Sequence, residues 1–232
     1  MPRFAANLGL LFTERPLIER FAAAAAAGFP AVEVQLPYEQ PAPAIKAELD
    51  RHGLAMLGIN TARGKPGEFG LAAVPGREAE FAGLFAQALG YAVAIGARAI
   101  HCLAGTVSPE RRPAADATFV SNLTRVEHAA EVIARVGRPN VKVQFDCYHV
   151  QIMQGDLIKR LERFLPLIGH VQIAAVPSRA EPDEGEVNYI AVCDALDAMG
   201  YAGWIGAEYR PRASTEAGLS WARRYGIVPK RA

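Results

Sequence analysis

Seven short apolar runs each carry a polar residue at or near their end, and this spacing is the pattern that could do chemistry. The runs are 4–10, 31–36, 55–60, 99–104, 141–146, 170–174 and 204–208. Their polar residues are Asn7, Glu33, Asn60, His101, Asp146, Gln172 and Glu208. Neighbours of opposite parity are mostly apolar, as with Val32 and Val34, Leu57 and Ile59, Val171 and Ile173, Ile205 and Ala207. Side chains alternate faces along a strand, so each polar residue shares a face that its apolar neighbours leave. On successive parallel strands, seven such residues converge on one space. Carboxylates crowded there repel and shift one another, and a divalent cation removes that cost. A site rich in oxygen donors and poor in thiols suits Mg²⁺ or Mn²⁺ rather than zinc.

Within this set, Asp146 in the stretch Gln144-Phe-Asp-Cys-Tyr-His149 reads as a metal ligand. His149, three residues on, would meet the substrate, orient a ligand or cap the following helix. Arg179, just beyond the run ending near Gln172, could hold a substrate carboxylate with two parallel hydrogen bonds. Asn7, Asn60 and His101 are the further candidates for substrate contact. Arg63 and Lys65 in the long loop 61–75 are weaker candidates. Arg111 and Arg112 read as solvated. Cys147 has the parity of a helix-facing residue, which argues against a catalytic thiol.

The elements that would position these residues alternate regularly. Helical patterns fall near 16–28, 41–53, 76–96, 113–137, 155–166 and 187–200, with a last one at 214–225. The first carries Leu17, Ile18, Phe21, Ala24 and Ala25 at helical spacing and stops at Gly28. Strand–helix alternation implies a parallel sheet covered by helices. At 232 residues, the chain suits a single α/β barrel domain spanning 1–232, with the polar strand ends at the mouth where such barrels keep their sites. Loop 61–75 would lie on that same face.

Composition narrows the function. The net charge of +1, from 25 basic and 24 acidic residues, argues against nucleic acid or an anionic membrane as partner. No apolar run reaches spanning length, and the N-terminus lacks the apolar stretch of a signal peptide. Three scattered cysteines fit free thiols in a reducing compartment, so a cytoplasmic protein is expected. There is no Gly-x-Ser-x-Gly elbow and no phosphate-cradling glycine motif.

Several segments in order resemble the hydroxypyruvate isomerase family of xylose-isomerase-like TIM barrels. They are Arg3-Phe-Ala-Ala-Asn-Leu, Ala31-Val-Glu33, Pro75-Gly-Arg-Glu78, Gln144-Phe-Asp-Cys-Tyr-His149, Gly169-His-Val-Gln-Ile173, Glu181-Pro-Asp-Glu-Gly-Glu-Val-Asn-Tyr189 and Gly203-Trp-Ile-Gly-Ala-Glu-Tyr-Arg-Pro211. The resemblance implies a (β/α)₈ fold and a Mg²⁺ or Mn²⁺ ion held by Asp146, Gln172 and Glu208, with Glu208 also moving protons. It implies interconversion of hydroxypyruvate with 2-hydroxy-3-oxopropanoate (tartronate semialdehyde). A related group isomerises 2-oxo-tetronates, and sugar 3-epimerisation is the runner-up reaction. The expected partner is a small hydroxy-oxo acid, with homo-oligomerisation left open. The family's remaining metal-binding glutamate, in a Leu-Ile-Glu-Pro-like segment on strand five, has no match. Seven strand runs are present rather than eight, and the helical pattern runs unbroken through 122–136. One βα unit around strand five is therefore expected to be missing between Ala130 and Glu131. That absence motivates a reading of another class, a binding remnant that has lost catalysis.

Overall fold

The seven apolar runs become seven parallel strands: β1 (Arg3–Asn7), β2 (Ala31–Val34), β3 (Ala55–Asn60), β4 (Ala99–His101), β5 (Val143–Asp146), β6 (Ile168–Ile173) and β7 (Trp204–Ala207). The computed structural model describes residues 1–122 and 139–230. The strands pair in the order β4-β3-β2-β1-β7-β6-β5, a nearly closed TIM barrel. Among the described residues, seven helices connect and cover them: α1 (Leu17–Ala26), α2 (Ala42–His52), α3 (Glu78–Ile95), α4 (Arg112–Asn122), α5 (Cys147–Met153), α6 (Leu157–Phe164) and α7 (Tyr189–Ala198). Among the described residues, β4 and β5 each have one neighbouring strand. The expected junction at Ala130–Glu131 and the rest of the predicted helix 113–137 lie outside the described residues.

Burial explains the parallel arrangement. Every residue of β2 and three of four in β7 are buried, as strands covered on both faces must be. The core between sheet and helices holds Phe4, Phe21, Phe29, Phe145 and Ile205. Phe4 meets Trp221 edge-on, with centroids 5.3 Å apart. Register brings the site together: Asn7 stands opposite Glu33, and Asp146 opposite Gln172.

Several expected bounds shift for visible reasons. The first strand ends at Asn7 rather than residue 10, because Asn7 Oδ1 accepts the Gly9 N–H at 2.9 Å and its carbonyl accepts those of Leu10 and Leu11. The fourth ends at His101 rather than 104. Beyond it, the carbonyls of Leu103 and Ala104 accept the N–H groups of Ala72 and Ala73 at 3.0 and 2.7 Å. Loop 61–75 thus packs against this exit, burying Leu71, Ala72 and Ala73 with Phe81. Gly70 anchors it at φ +115, and a Cβ there would stand 2.2 Å from the Leu103 carbonyl oxygen. Arg63 and Lys65 are exposed. Helix α5 was not anticipated, since seven residues are too few to show a 3.6-residue period. The segment expected as a last helix forms 3₁₀ turns over Glu216–Tyr225. Lys142 has the same parity as Gln144 and Asp146, which would turn it into the barrel; it lies exposed before β5 and donates to the Pro166 carbonyl. No helix among the described residues is long and apolar enough to cross a membrane.

Candidate active site

Strand alternation aims the polar ends into the barrel, and Glu33 is buried there with Asn7 and Gln172. Its carboxylate is buried and accepts from three directions. Oε1 takes Asn7 Nδ2 at 2.9 Å and Gln172 Nε2 at 2.7 Å, while Oε2 meets His170 Nε2 at 2.8 Å. Burial pushes its pKa up, but the charge and hydrogen bond of His170, with the two amide donors, outweigh that and hold the carboxyl below its ordinary range. Glu33 leans against β7 where that strand has no side chain. A Cβ on Gly206 would stand 2.6 Å from Glu33 Oε1. Gly206→Ala should therefore cost roughly 1–3 kcal/mol by overpacking. Urea denaturation checks this, and a variant as stable as the parent would show that the carboxylate can move aside freely.

Glu208 follows β7, two residues beyond Gly206. Its Oε1 accepts Gln35 Nε2 at 2.8 Å and Arg179 Nη2 at 2.7 Å. Burial, then the charges of Glu33 and Asp146, push this carboxyl up to about 8, against Arg179 and Gln35. Asp146, across the mouth at the end of β5, caps α5. Its Oδ1 accepts the N–H groups of Tyr148 and His149 at 2.9 and 3.4 Å. Burial pushes its pKa up despite His149 and Arg179 nearby. The cap expected of His149 at the helix that follows it is not made: α6 has no side-chain cap hydrogen bond at its start, whereas Asp146 caps α5. His149 is exposed, with Nε2 3.5 Å from Asp146 Oδ2.

Gln172 bridges the set. Its Oε1 accepts Gln144 Nε2 at 2.7 Å while its nitrogen donates to Glu33. His101 ends β4, where burial pulls its pKa down; the charge of Glu33 opposes this and that of His170 adds to it. Asn60 ends β3, its carbonyl accepting from the Tyr38 hydroxyl. Arg179, expected to await a substrate, is instead paired with Glu208. It lies 5.0 Å over the Tyr148 ring and has φ 56. Among the described residues, its buried Nε has no hydrogen-bond partner. Cys147 is fully buried, as its parity required, and burial raises its thiol pKa well above normal.

Two participants, Gln35 and His170, were not expected from the sequence, and Gln144 was expected only to share the inward face of Asp146. Each stands two residues from a recognised one, on the same strand face: Glu33 and Gln35, Gln144 and Asp146, His170 and Gln172. That period-two pairing was the available signal. Among the described residues, no three His, Cys, Asp or Glu side chains come together as a cage. The mouth instead offers two carboxyl groups and an amide. Both carboxyls are pushed toward protonation by burial, and the charge of Arg179 works against this in each. Such a hard-oxygen set suits Mg²⁺ or Mn²⁺.

Comparison with known proteins gives a consistent picture. A family model described as a xylose isomerase-like TIM barrel matches residues 21–127 and 124–225. A 2-oxo-tetronate isomerase from Cupriavidus necator is 45% identical, covering 97% of this chain and 99% of its own length. A hydroxypyruvate isomerase from Escherichia coli is 36% identical over 97% of this chain and 100% of its own. A crystal structure from Brucella melitensis, described as an AP endonuclease of family 2, superposes with a TM-score of 0.93. It is 41% identical and covers 97% of this chain and 99% of that one. The Cupriavidus alignment spans 257 positions against 232 residues here, so at least 25 of its positions have no counterpart in this chain. The family match divides at 124–127, close to the expected junction.

Proposed function

We propose that this chain, which belongs to the xylose isomerase-like TIM barrel family, interconverts the aldose and ketose forms of a small hydroxy-oxo acid. Hydroxypyruvate and 2-hydroxy-3-oxopropanoate are the three-carbon pair. A four-carbon 2-oxo-tetronate is the alternative, favoured by the higher identity to the 2-oxo-tetronate isomerase. The observation that carries the reading is Glu208: a buried carboxyl at the barrel mouth, aligned by Gln35 and Arg179 and crowded by a second carboxyl, Asp146.

The reaction moves one hydrogen from the carbinol carbon to the adjacent carbonyl carbon, through an enediol shared by both. Glu208, ionised, takes the proton from the first carbon and returns it to the second, while the hydroxyl proton shifts between the two oxygens. Asp146, Gln172 and Glu208 would hold a Mg²⁺ or Mn²⁺ ion. That ion supplies Lewis-acid stabilisation of the oxygen on which negative charge develops. Arg179, paired with Glu208 through Nη2 and with a buried Nε donor left unspent, is the group we assign to the substrate carboxylate. His149 and His101, with Asn7 and Asn60, are the polar groups left to bind substrate oxygens. Asn7 contributes least directly, because its amide is already spent on Glu33 and Gly9.

Arg179→Ala should raise KM for an anionic substrate about 10–100-fold, the equivalent of roughly 1.5–3 kcal/mol for a charge-assisted hydrogen bond. Steady-state kinetics on hydroxypyruvate tests this. An unchanged KM would reduce Arg179 to a partner of Glu208 alone.

The 25 or more unmatched positions give the binding-remnant reading its one support. Mn²⁺ and substrate bound without turnover would favour it.

A further inference from the structure

Glu33 is the most connected side chain inside the barrel, yet the reaction described above does not use it. Asn7 and Gln172 occupy Oε1 and His170 meets Oε2, and the side chain is 6% exposed. Three of its roughly four acceptor sites are thus committed to protein donors, so its main work is with those donors rather than with a ligand at the mouth. What it does control is the orientation of an amide. A carboxylate is an acceptor only, so the Gln172 side chain must turn its nitrogen toward Glu33. A flipped amide would set two oxygens against each other at 2.7 Å. With the nitrogen held, the amide oxygen points away, toward β5, where one lone pair accepts from Gln144 Nε2 at 2.7 Å and the second is left for a cation. Asn7 is sorted in the same way, nitrogen to Glu33 and oxygen to the Gly9 N–H.

We propose that Glu33, braced by His170, is a positioning residue that fixes the Gln172 amide with its oxygen available to a divalent cation. The inference rests on Gln172 being a ligand, as proposed above. It gives a physical reason for an amide here rather than a carboxylate. A glutamate at 172 would oppose Glu33 across the same short contact. Only the oxygen of an amide binds a hard cation, so an unsorted amide would be the wrong way round part of the time. Groups that orient a ligand in this manner typically matter 10–100-fold in metal affinity.

The test is a double-mutant cycle read by Mn²⁺ binding, following free Mn²⁺ by electron paramagnetic resonance, with no turnover needed. Glu33→Gln should weaken Mn²⁺ binding about 10–100-fold. The double variant Glu33→Gln/Gln172→Ala should bind no worse than Gln172→Ala alone, because Glu33 acts through that amide. Unchanged affinity in Glu33→Gln, or losses that add, would overturn the role of Glu33 while leaving the metal reading intact. A loss of kcat with Mn²⁺ affinity kept would also overturn it, by making Glu33 part of the proton chemistry. Failure of the unaltered protein to bind Mn²⁺ would remove the metal reading itself and this inference with it. Should Glu33→Gln not fold, the unaltered protein still answers. The Gln172 side-chain amide protons, buried and bonded, should exchange with solvent far more slowly than those of exposed glutamines, and exchange at the solvent rate would overturn the proposal.

Discussion

Replacing Glu208 with glutamine should lower kcat by about 10²–10⁴ while weakening Mn²⁺ binding far less. The substitution keeps the shape of the side chain and one oxygen, so it preserves a ligand and removes a base. General acid–base help is typically worth that range. A loss in kcat at unchanged metal occupancy isolates an interaction made in the transition state. Kinetics at saturating Mn²⁺ keep lost metal from imitating lost chemistry. If the variant retains most of the parent's activity, Glu208 is structural and proton transfer belongs to another group.

The same residue should make the metal-free protein sensitive to pH in a particular direction. In the unfolded chain this carboxyl ionises near its ordinary value of 4.5, whereas in the fold it holds its proton to about 8. The folded state thus binds more protons between those values. Its contribution is fully present below pH 4.5 and is lost progressively as pH rises to about 8. At full ionisation the loss is on the order of 5 kcal/mol, from about 1.4 kcal/mol per unit over the rise from 4.5 to about 8. Urea midpoints of chelator-treated protein across this range should fall with pH, and Glu208→Gln should flatten the trend. Mn²⁺ should oppose it too, releasing close to one proton per ion bound near neutral pH. An identical slope in the variant would assign the pH dependence to other groups.

Much of this site can be read from alternation along single strands. Parity alone turns Asp146, Gln172 and Glu208 inward and Cys147 outward, and the structure agrees. What parity cannot supply is who meets whom across the barrel. The Gln35–Glu208 and Glu33–His170 contacts join residues 173 and 137 positions apart, and no local period encodes such pairs. Arg179 shows the same limit. Its position after β6 implied a place at the mouth, but its capture by Glu208 depends on two loops meeting. Helix α5 was hidden for a different reason. Its start is fixed by one Asp146 cap rather than by a periodic apolar face. The long loop lies at the end of β4, as its place after β3 implied, but the packing of its apolar residues against that exit could not be read locally.

The central claim is that this barrel moves a proton between adjacent carbons of a small hydroxy-oxo acid. The direct measurement is proton NMR in D₂O, with Mn²⁺ or Mg²⁺ supplied and hydroxypyruvate, a 2-oxo-tetronate and a ketohexose as separate substrates. The predicted result is conversion of one of the two acids to its aldose–ketose partner, with solvent deuterium appearing at the carbon that receives the hydrogen. Turnover should disappear in Glu208→Gln. Epimerisation of the ketohexose with neither acid converted, or no turnover of either acid by protein shown to hold its metal, would contradict it.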